Sequence, residues 1–394
     1  MSLVFDAGRG ADPSTHVLAI GVGRYPYLLG GDKKLAAKPL GLKQLESPPI
    51  SLKALVNWFL APATVPGNAG FTNTLAPLGT LRALASARDA VVVDTPKGAV
   101  TLDPATKDNI DSAFAAWLDE VKRNDANIGV FYFCGHGMMV SDHYLLAEDF
   151  GSSNLLAWSK AFDVSSTIRG VEREVGGALY VFIDACREVS RDLALSAGAN
   201  PMALIQADLG KKLARKSLAH ISATGEGQLA FAPSGGQVSR FTKALLRALS
   251  GYAGIRSAGR PAWEVDGETL GSAARQLLEY EWEKDPNQRA SAPQVCEQVI
   301  QGCSVPLIQL NAPPRVAVEI NYVPETMRAQ YRIYVRSMLT EIVQTNENKC
   351  LEGEVPMGVY TVGAIDPAGA LQADERQDEE LRPPRYSLSL GNHP

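Results

Sequence analysis

VFYFCGHGMMVSDHYLLAED, residues 130–149, opens as a buried strand should, on a run of aromatic and β-branched residues, and then stops at Gly135-His136-Gly137. A histidine between two glycines has two readings. Either the glycines make a turn with a polar residue at its tip, or they let backbone approach a ligand while the histidine transfers protons at a strand end. A partner elsewhere in the chain decides between them.

The pattern around this stretch sets the fold class. HVLAIGVG (16–23), IGVFYF (128–133), ALYVFIDA (178–185) and LAHISAT (218–224) are continuous apolar runs of strand length. Between them lie helical periodicities. Leu52, Leu55, Val56 and Phe59 share one face of a helix that Ser51 is placed to cap, and Ile110, Phe114, Trp117, Leu118 and Val121 share one face of 106–121. Residues 159–175 and 240–249 read as further helices. TLRALAS (80–86) and AVVVDT (90–95) both read as strands, with the principal one undecided. Apolar strands alternating with helices predict an α/β core, a mostly parallel sheet covered on both faces. We divide the chain into an N-terminal extension (1–14), that core (15–250), a linker and helical extension (251–306) and a C-terminal β-sandwich-like unit (307–394). Within the last, 372–384 reads as an exposed acidic loop.

The 394 residues carry a net charge of −5, and no basic cluster is longer than the pairs Lys33-Lys34 and Lys211-Lys212. Phosphate backbones need a basic face, so nucleic acid is not the expected partner. The N-terminus has no charged-then-apolar signal pattern, and no apolar run reaches membrane length, so neither a secretory signal nor a spanning helix is expected. Five cysteines without a secretory signal imply reduced thiols and a cytoplasmic location. Cys134-x-His136 and Cys296-x6-Cys303 do not match paired zinc spacings, and we expect no metal. Gly21-Val22-Gly23 fails as a dinucleotide loop because Pro26 takes the third glycine position. No Gly-x-Ser-x-Gly elbow is present.

Ligands of open α/β sheets bind beyond the carboxyl ends of the strands. His136 sits at such an end. So does Cys186, in IDACRE (183–188), fifty residues downstream. A cysteine attacks as its thiolate, and a neighbouring histidine takes the proton. The backbone N–H groups of Gly137 and Cys186 are the natural pair to hold a developing oxyanion. His143 reads as structural. The chemistry requires no cofactor.

FYFCGHGMMVSDHYLLAED (131–149) and LYVFIDACRE (179–188) resemble the histidine and cysteine motifs of the caspase and metacaspase clan of cysteine peptidases. AHISATGEGQLAFAP (219–233) followed by SRFTKALLRAL (239–249) resembles the start of their small subunit. The resemblance covers roughly residues 15–250. It implies a caspase-haemoglobinase fold, His136 and Cys186 as the catalytic dyad, and a protein or peptide substrate. Asp184 stands where metacaspases carry an S1-pocket acid, which implies cleavage after Arg or Lys. Ser51 stands where they carry a second acid, and Arg187-Glu188 replaces the family's usual residues after the cysteine.

The resemblance also implies a zymogen-like enzyme. Lys212, Arg215 and Lys216 are candidate processing sites in a mobile segment that also holds Arg191 and Lys211, unless 203–216 forms a stable helix. The wording is closest to prokaryotic members, several of which act in antiphage defence. The C-terminal unit is expected to bind a small-molecule or protein activator. The rival reading is a non-catalytic signalling scaffold on the same fold.

Overall fold

The computed structural model describes residues 2–62, 70–139, 142–153, 156–187, 201–225, 236–256, 259, 262–285, 293–344, 349–369 and 371–391. A seven-stranded sheet runs in the order Leu3–Asp6, Leu78–Ser86, Thr15–Val22, Ile128–Gly135, Ala178–Ala185, Ser217–Ser222, Glu297–Gly302. The inner strands are parallel, and the two edges are antiparallel. Alternation decides which core each residue enters. Ala178, Tyr180 and Phe182 pack on the face covered by helices Ser47–Leu60, Arg240–Arg247 and Gly267–Lys284. Leu179, Val181 and Ile183 pack on the other face, under helices Lys107–Val121 and Val164–Glu174. This is the expected covered parallel sheet.

Several local expectations are corrected. Leu78–Ser86 is the sheet strand, while Val92–Thr95 forms a separate hairpin with Gly98–Thr101. Ser51 does not cap its helix, which starts at Ser47 with proline in the first turn, where the missing N–H costs nothing. Residues 159–175 are not one helix: strand Ala161–Asp163 precedes Val164–Glu174, and Asp163 caps that helix by accepting from Ser166 N–H at 2.8 Å. Residues 201–216 contain no helix. The extension at the N-terminus supplies one sheet edge, and the helical linker supplies the other.

Strand Ile308–Leu310 pairs with Trp263–Val265, so the β unit proper begins at Arg315. Its two sheets, of three and four strands, enclose a core of Val316, Val318, Ile320, Ile333, Val335, Val362 and Leu390. The expected acidic loop at 372–384 is instead strand Asp374–Leu381, paired with Gly358–Ile365.

This unit meets the core helices through Ala317, which is buried in their cluster, through Arg385 stacked on Tyr280, and through ion pairs. Lys284 Nζ lies 2.7 Å from Glu319 and 2.6 Å from Glu352, Arg385 lies 2.9 Å from Glu283, and Arg247 reaches Glu354 at 3.5 Å. Among the described residues, Glu319, Cys350 and Glu352 bring ligand atoms within 4.8 Å of one another. The ammonium of Lys284 already lies between the two carboxylates. No helix of the described chain is long and apolar enough to cross a membrane.

Candidate active site

Register brings the two predicted residues together. Asp184 pairs with Cys134 and Ala185 with Gly135 across parallel strands. His136 and Cys186 are therefore the next residues out of two neighbouring strands. Both are half-buried. A Cβ on Gly137 would fall 2.8 Å from Ala185 Cβ, so the backbones of the two motifs touch. Only glycine permits that approach.

The imidazole of His136 is fixed from the Gly23–Glu46 loop. Its Nε2 lies 2.7 Å from the carbonyl oxygen of Lys43. A carbonyl only accepts, so Nε2 carries the proton and Nδ1 carries the lone pair of the neutral ring. Tyr25 packs its ring 4.8 Å from the imidazole, and its hydroxyl accepts the His136 N–H at 2.8 Å. Burial pushes the His136 pKa down to about 4, with the Lys43 carbonyl pulling weakly the other way. The ring is then neutral at neutral pH.

Gly137 opens a hairpin in which it stands opposite Leu145. Leu146 N–H donates to His136 O at 3.1 Å, so His136–Leu146 is a bonded rung and Gly137–Leu145 is the unbonded one. The Gly137 N–H therefore points out of the hairpin ladder. His143 is buried, and its Nε2–H donates to Cys186 O at 3.2 Å, holding the peptide plane of Cys186. Burial, then the charge of Arg187 and the neighbouring His220, pushes the His143 pKa down to about 3. Arg187 turns away to Glu297 on the edge strand, 2.5 Å from Nη1. Glu188 and Arg191 lie outside the described residues.

Asp184 and Ser51 are joined through Ser239, on the opposite face of the sheet from His143. Ser239, which caps helix Arg240–Arg247, donates its hydroxyl to Asp184, and Thr242 Oγ1 donates to the same oxygen at 2.7 Å. Ser239 N–H donates to Ser51 Oγ at 2.9 Å. Burial raises the Asp184 pKa, and these hydrogen bonds together with Cys134 pull it back. No ion pair joins Asp184 to another described residue.

The processing candidates differ among themselves. Arg215 is held by Glu172 and Gln301 with its side chain buried, and Lys216 Nζ donates to Asp125 O at 2.9 Å. Lys211 pairs with Glu174. Lys212 is exposed.

Sequence reasoning did not reach Tyr25, Gln44, Ser239 or Thr242, nor the Lys43 carbonyl. A carbonyl has no residue signature. The hydroxyl ladder of Ser51, Ser239 and Thr242 becomes visible only once the sheet brings residues 51, 184 and 239 together.

The family model described as Caspase domain matches residues 69–297. The uncharacterized protein y4kE of Sinorhizobium fredii is 35% identical over 286 residues, which span 70% of this chain and 80% of that protein. The crystal structure of caspase-1 from Spodoptera frugiperda superposes with a TM-score of 0.39 at 13% identity, covering 76% of this chain and 94% of that one.

Proposed function

The chain belongs to the caspase-domain family, and on that premise we propose that it is a cysteine endopeptidase acting through Cys186 and His136. One observation carries the reading: the register that sets Cys186 beside a histidine whose Nε2 proton is pinned by a backbone carbonyl. Nδ1 of His136 takes the thiol proton as Cys186 Sγ attacks the scissile carbonyl. The oxyanion is held by the N–H groups of Gly137 and Cys186. His136 then protonates the leaving amine, which leaves a thioester on Cys186. Water, deprotonated by the same ring, hydrolyses it and returns the thiol.

Asp184 is proposed as the acid that selects Arg or Lys at P1. In support, it is a buried carboxylate bonded to hydroxyls and a thiol, and a basic substrate side chain would supply its counter-charge. Ser51 supports it through Ser239. Of the processing candidates, Lys212 is the one we retain, because its side chain is exposed while Arg215 and Lys216 are held by hydrogen bonds.

The β unit is proposed to control the site. Helix Arg240–Arg247 bonds Asp184 from its first turn and reaches Glu354 from its last residue, so a partner that displaces the β unit acts on one rigid element.

The test is a peptide library cleaved by wild type and by Cys186→Ala, with parallel alkylation of the thiols by iodoacetamide. Cleavage after basic residues, lost by at least about 1,000-fold in either Cys186→Ala or His136→Ala and no further in the double variant, supports the dyad. Equal cleavage by Cys186→Ala refutes it. A wild type with an unreactive Cys186 and no cleavage favours the scaffold reading.

A further inference from the structure

The two groups that hold His136 come from one loop. Tyr25 lies near its start, and Lys43, whose carbonyl takes the Nε2 proton, lies near its end. What ties these ends together is the side chain of Gln44. Its Oε1 accepts Tyr25 N–H at 2.7 Å, and its Nε2 donates to Tyr25 O at 2.8 Å and to Leu29 O at 3.2 Å. This amide satisfies both polar groups of the Tyr25 backbone and fixes the residue that follows the Lys43 carbonyl. Around it the loop is closed by Leu45 N–H to Gly23 O at 2.8 Å and Leu29 N–H to Leu42 O at 3.1 Å.

Tyr25 does more than pack. In a regular hairpin the His136–Leu146 rung would have two hydrogen bonds. One is made, from Leu146 N–H to His136 O. In place of the other, the Tyr25 hydroxyl accepts from His136 N–H at 2.8 Å and donates toward Leu146 O at 3.5 Å. The catalytic histidine's backbone is thus held by a side chain from the same loop that holds its ring.

We propose that Gln44 and Tyr25 are positioning residues for the proposed peptidase reaction: together they set the orientation and tautomer of His136 through the Lys43 carbonyl. The inference rests on the dyad reading above. Neither residue touches the reacting atoms. Losing the Gln44 amide frees the Lys43 carbonyl to drift, and the proton on the ring is then no longer confined to Nε2. A neutral ring protonated on Nδ1 cannot take the thiol proton there. Displacements of this kind cost about 10- to 100-fold in rate while leaving substrate binding nearly untouched.

The experiment compares wild type, Gln44→Ala, Gln44→Glu and Tyr25→Phe. Gln44→Glu keeps the acceptor for Tyr25 N–H but loses both donated bonds. Gln44 lines an open cavity of about 1030 Å³, so shortening it seals no void. Tyr25→Phe removes a single oxygen, which keeps the question answerable if a Gln44 variant fails to fold. Two readouts are taken: kcat and KM on the best library peptide, and the ring-nitrogen shifts of ¹⁵N-histidine-labelled protein, with the His136 signal assigned by its loss in His136→Gln. The expected result is an Nε2–H tautomer in wild type, a mixture in the Gln44 variants, and a kcat lower by about 10- to 100-fold with KM within about threefold. Variants that keep both the wild-type kcat and the wild-type tautomer overturn the proposal. If wild type cleaves no peptide but the tautomer still shifts in the variants, the positioning role stands and the peptidase reading falls.

Discussion

A Cβ placed on Gly137 would lie 2.7 Å from the carbonyl oxygen of Cys186 and 2.8 Å from Nε2 of His143. The residue after His136 and the peptide group of Cys186 thus lie against each other, with His143 completing the triangle through its bond to the same carbonyl. The glycine in the His-Gly pair is there for space. Gly137→Ala must push the two strand ends apart or displace His143. The expected result is a loss of about 1–3 kcal/mol in stability and at least about 100-fold slower cleavage, with Cys186 alkylated at a changed rate. A variant with wild-type melting temperature and activity would remove the close approach from the account.

The His143 bond has a pH signature. The ordinary histidine pKa is 6.5, and in the folded protein burial, Arg187 and His220 push His143 down to about 3. As pH falls below 6.5 the unfolded chain takes up a proton that the folded chain refuses. The stability contributed by the neutral ring is therefore complete above about pH 6.5 and is lost progressively down to about pH 3. At pH 5 the loss from this one group is about 2 kcal/mol. His143→Gln keeps an N–H donor for Cys186 O but does not titrate. Urea unfolding between pH 4.5 and 7 should give a slope shallower by about one proton in this variant. Among the groups that set the remaining slope are His136 and His220, each also lowered to about 4 chiefly by burial, and His16, lowered chiefly by burial as well. Identical slopes in variant and wild type would mean that His143 is protonated in the folded protein.

How much of this was legible beforehand follows from which interactions have local sequence patterns. The strands 130–135 and 178–185 are visible because burial on both faces demands unbroken apolar runs, and the nearness of His136 and Cys186 is visible because parallel order puts the strand ends together. Ser51 does not cap its helix, and the reason is physical. A serine before an apolar helical face looks like a cap, but Pro48 and Pro49 can begin a helix without one, and Ser51 instead accepts a hydrogen bond from residue 239. The acidic run 374–381 looked like a loop because its side chains are charged on both faces. It is a sheet edge, where charge is tolerated and discourages pairing with other chains. The hold on His136 was invisible, since it is made by a backbone carbonyl and a loop tyrosine far away in sequence.

Asp184 separates a specificity role from a bracing role. Asp184→Asn keeps an oxygen that accepts from Ser239 and Thr242 and removes a charge whose burial is unfavourable. The melting temperature should stay level or rise. If the carboxylate meets a basic P1 side chain, kcat/KM on Arg and Lys substrates should fall by about 100-fold or more, because the substrate's charge is then buried unpaired. Neutral P1 residues should lose much less. A uniform loss over all P1 residues, or none, would assign Asp184 to holding helix Arg240–Arg247 alone.

The docking of the β unit is the last point open to measurement. Its contacts with the core helices centre on Lys284, which bridges Glu319 and Glu352, with Arg385–Glu283 and Arg247–Glu354 beside it. These side chains are partly exposed, so each pair alone is weak and screened by salt. Several together hold the unit, and they can be reversed without disturbing either hydrophobic core. Lys284→Glu places a third carboxylate beside two others and should release the β unit while helices and sheets stay folded. The expected readouts are faster hydrogen exchange in strands Arg315–Tyr322 and Leu351–Pro356 and, if the unit restrains the enzyme, peptide cleavage raised by about fivefold or more. Adding Glu319→Lys and Glu352→Lys to Lys284→Glu restores opposite charges and should bring both readouts back toward wild type. High salt should mimic the single variant. If exchange increases but cleavage stays within twofold of wild type, the β unit is docked as described yet passive, and control of Cys186 lies elsewhere.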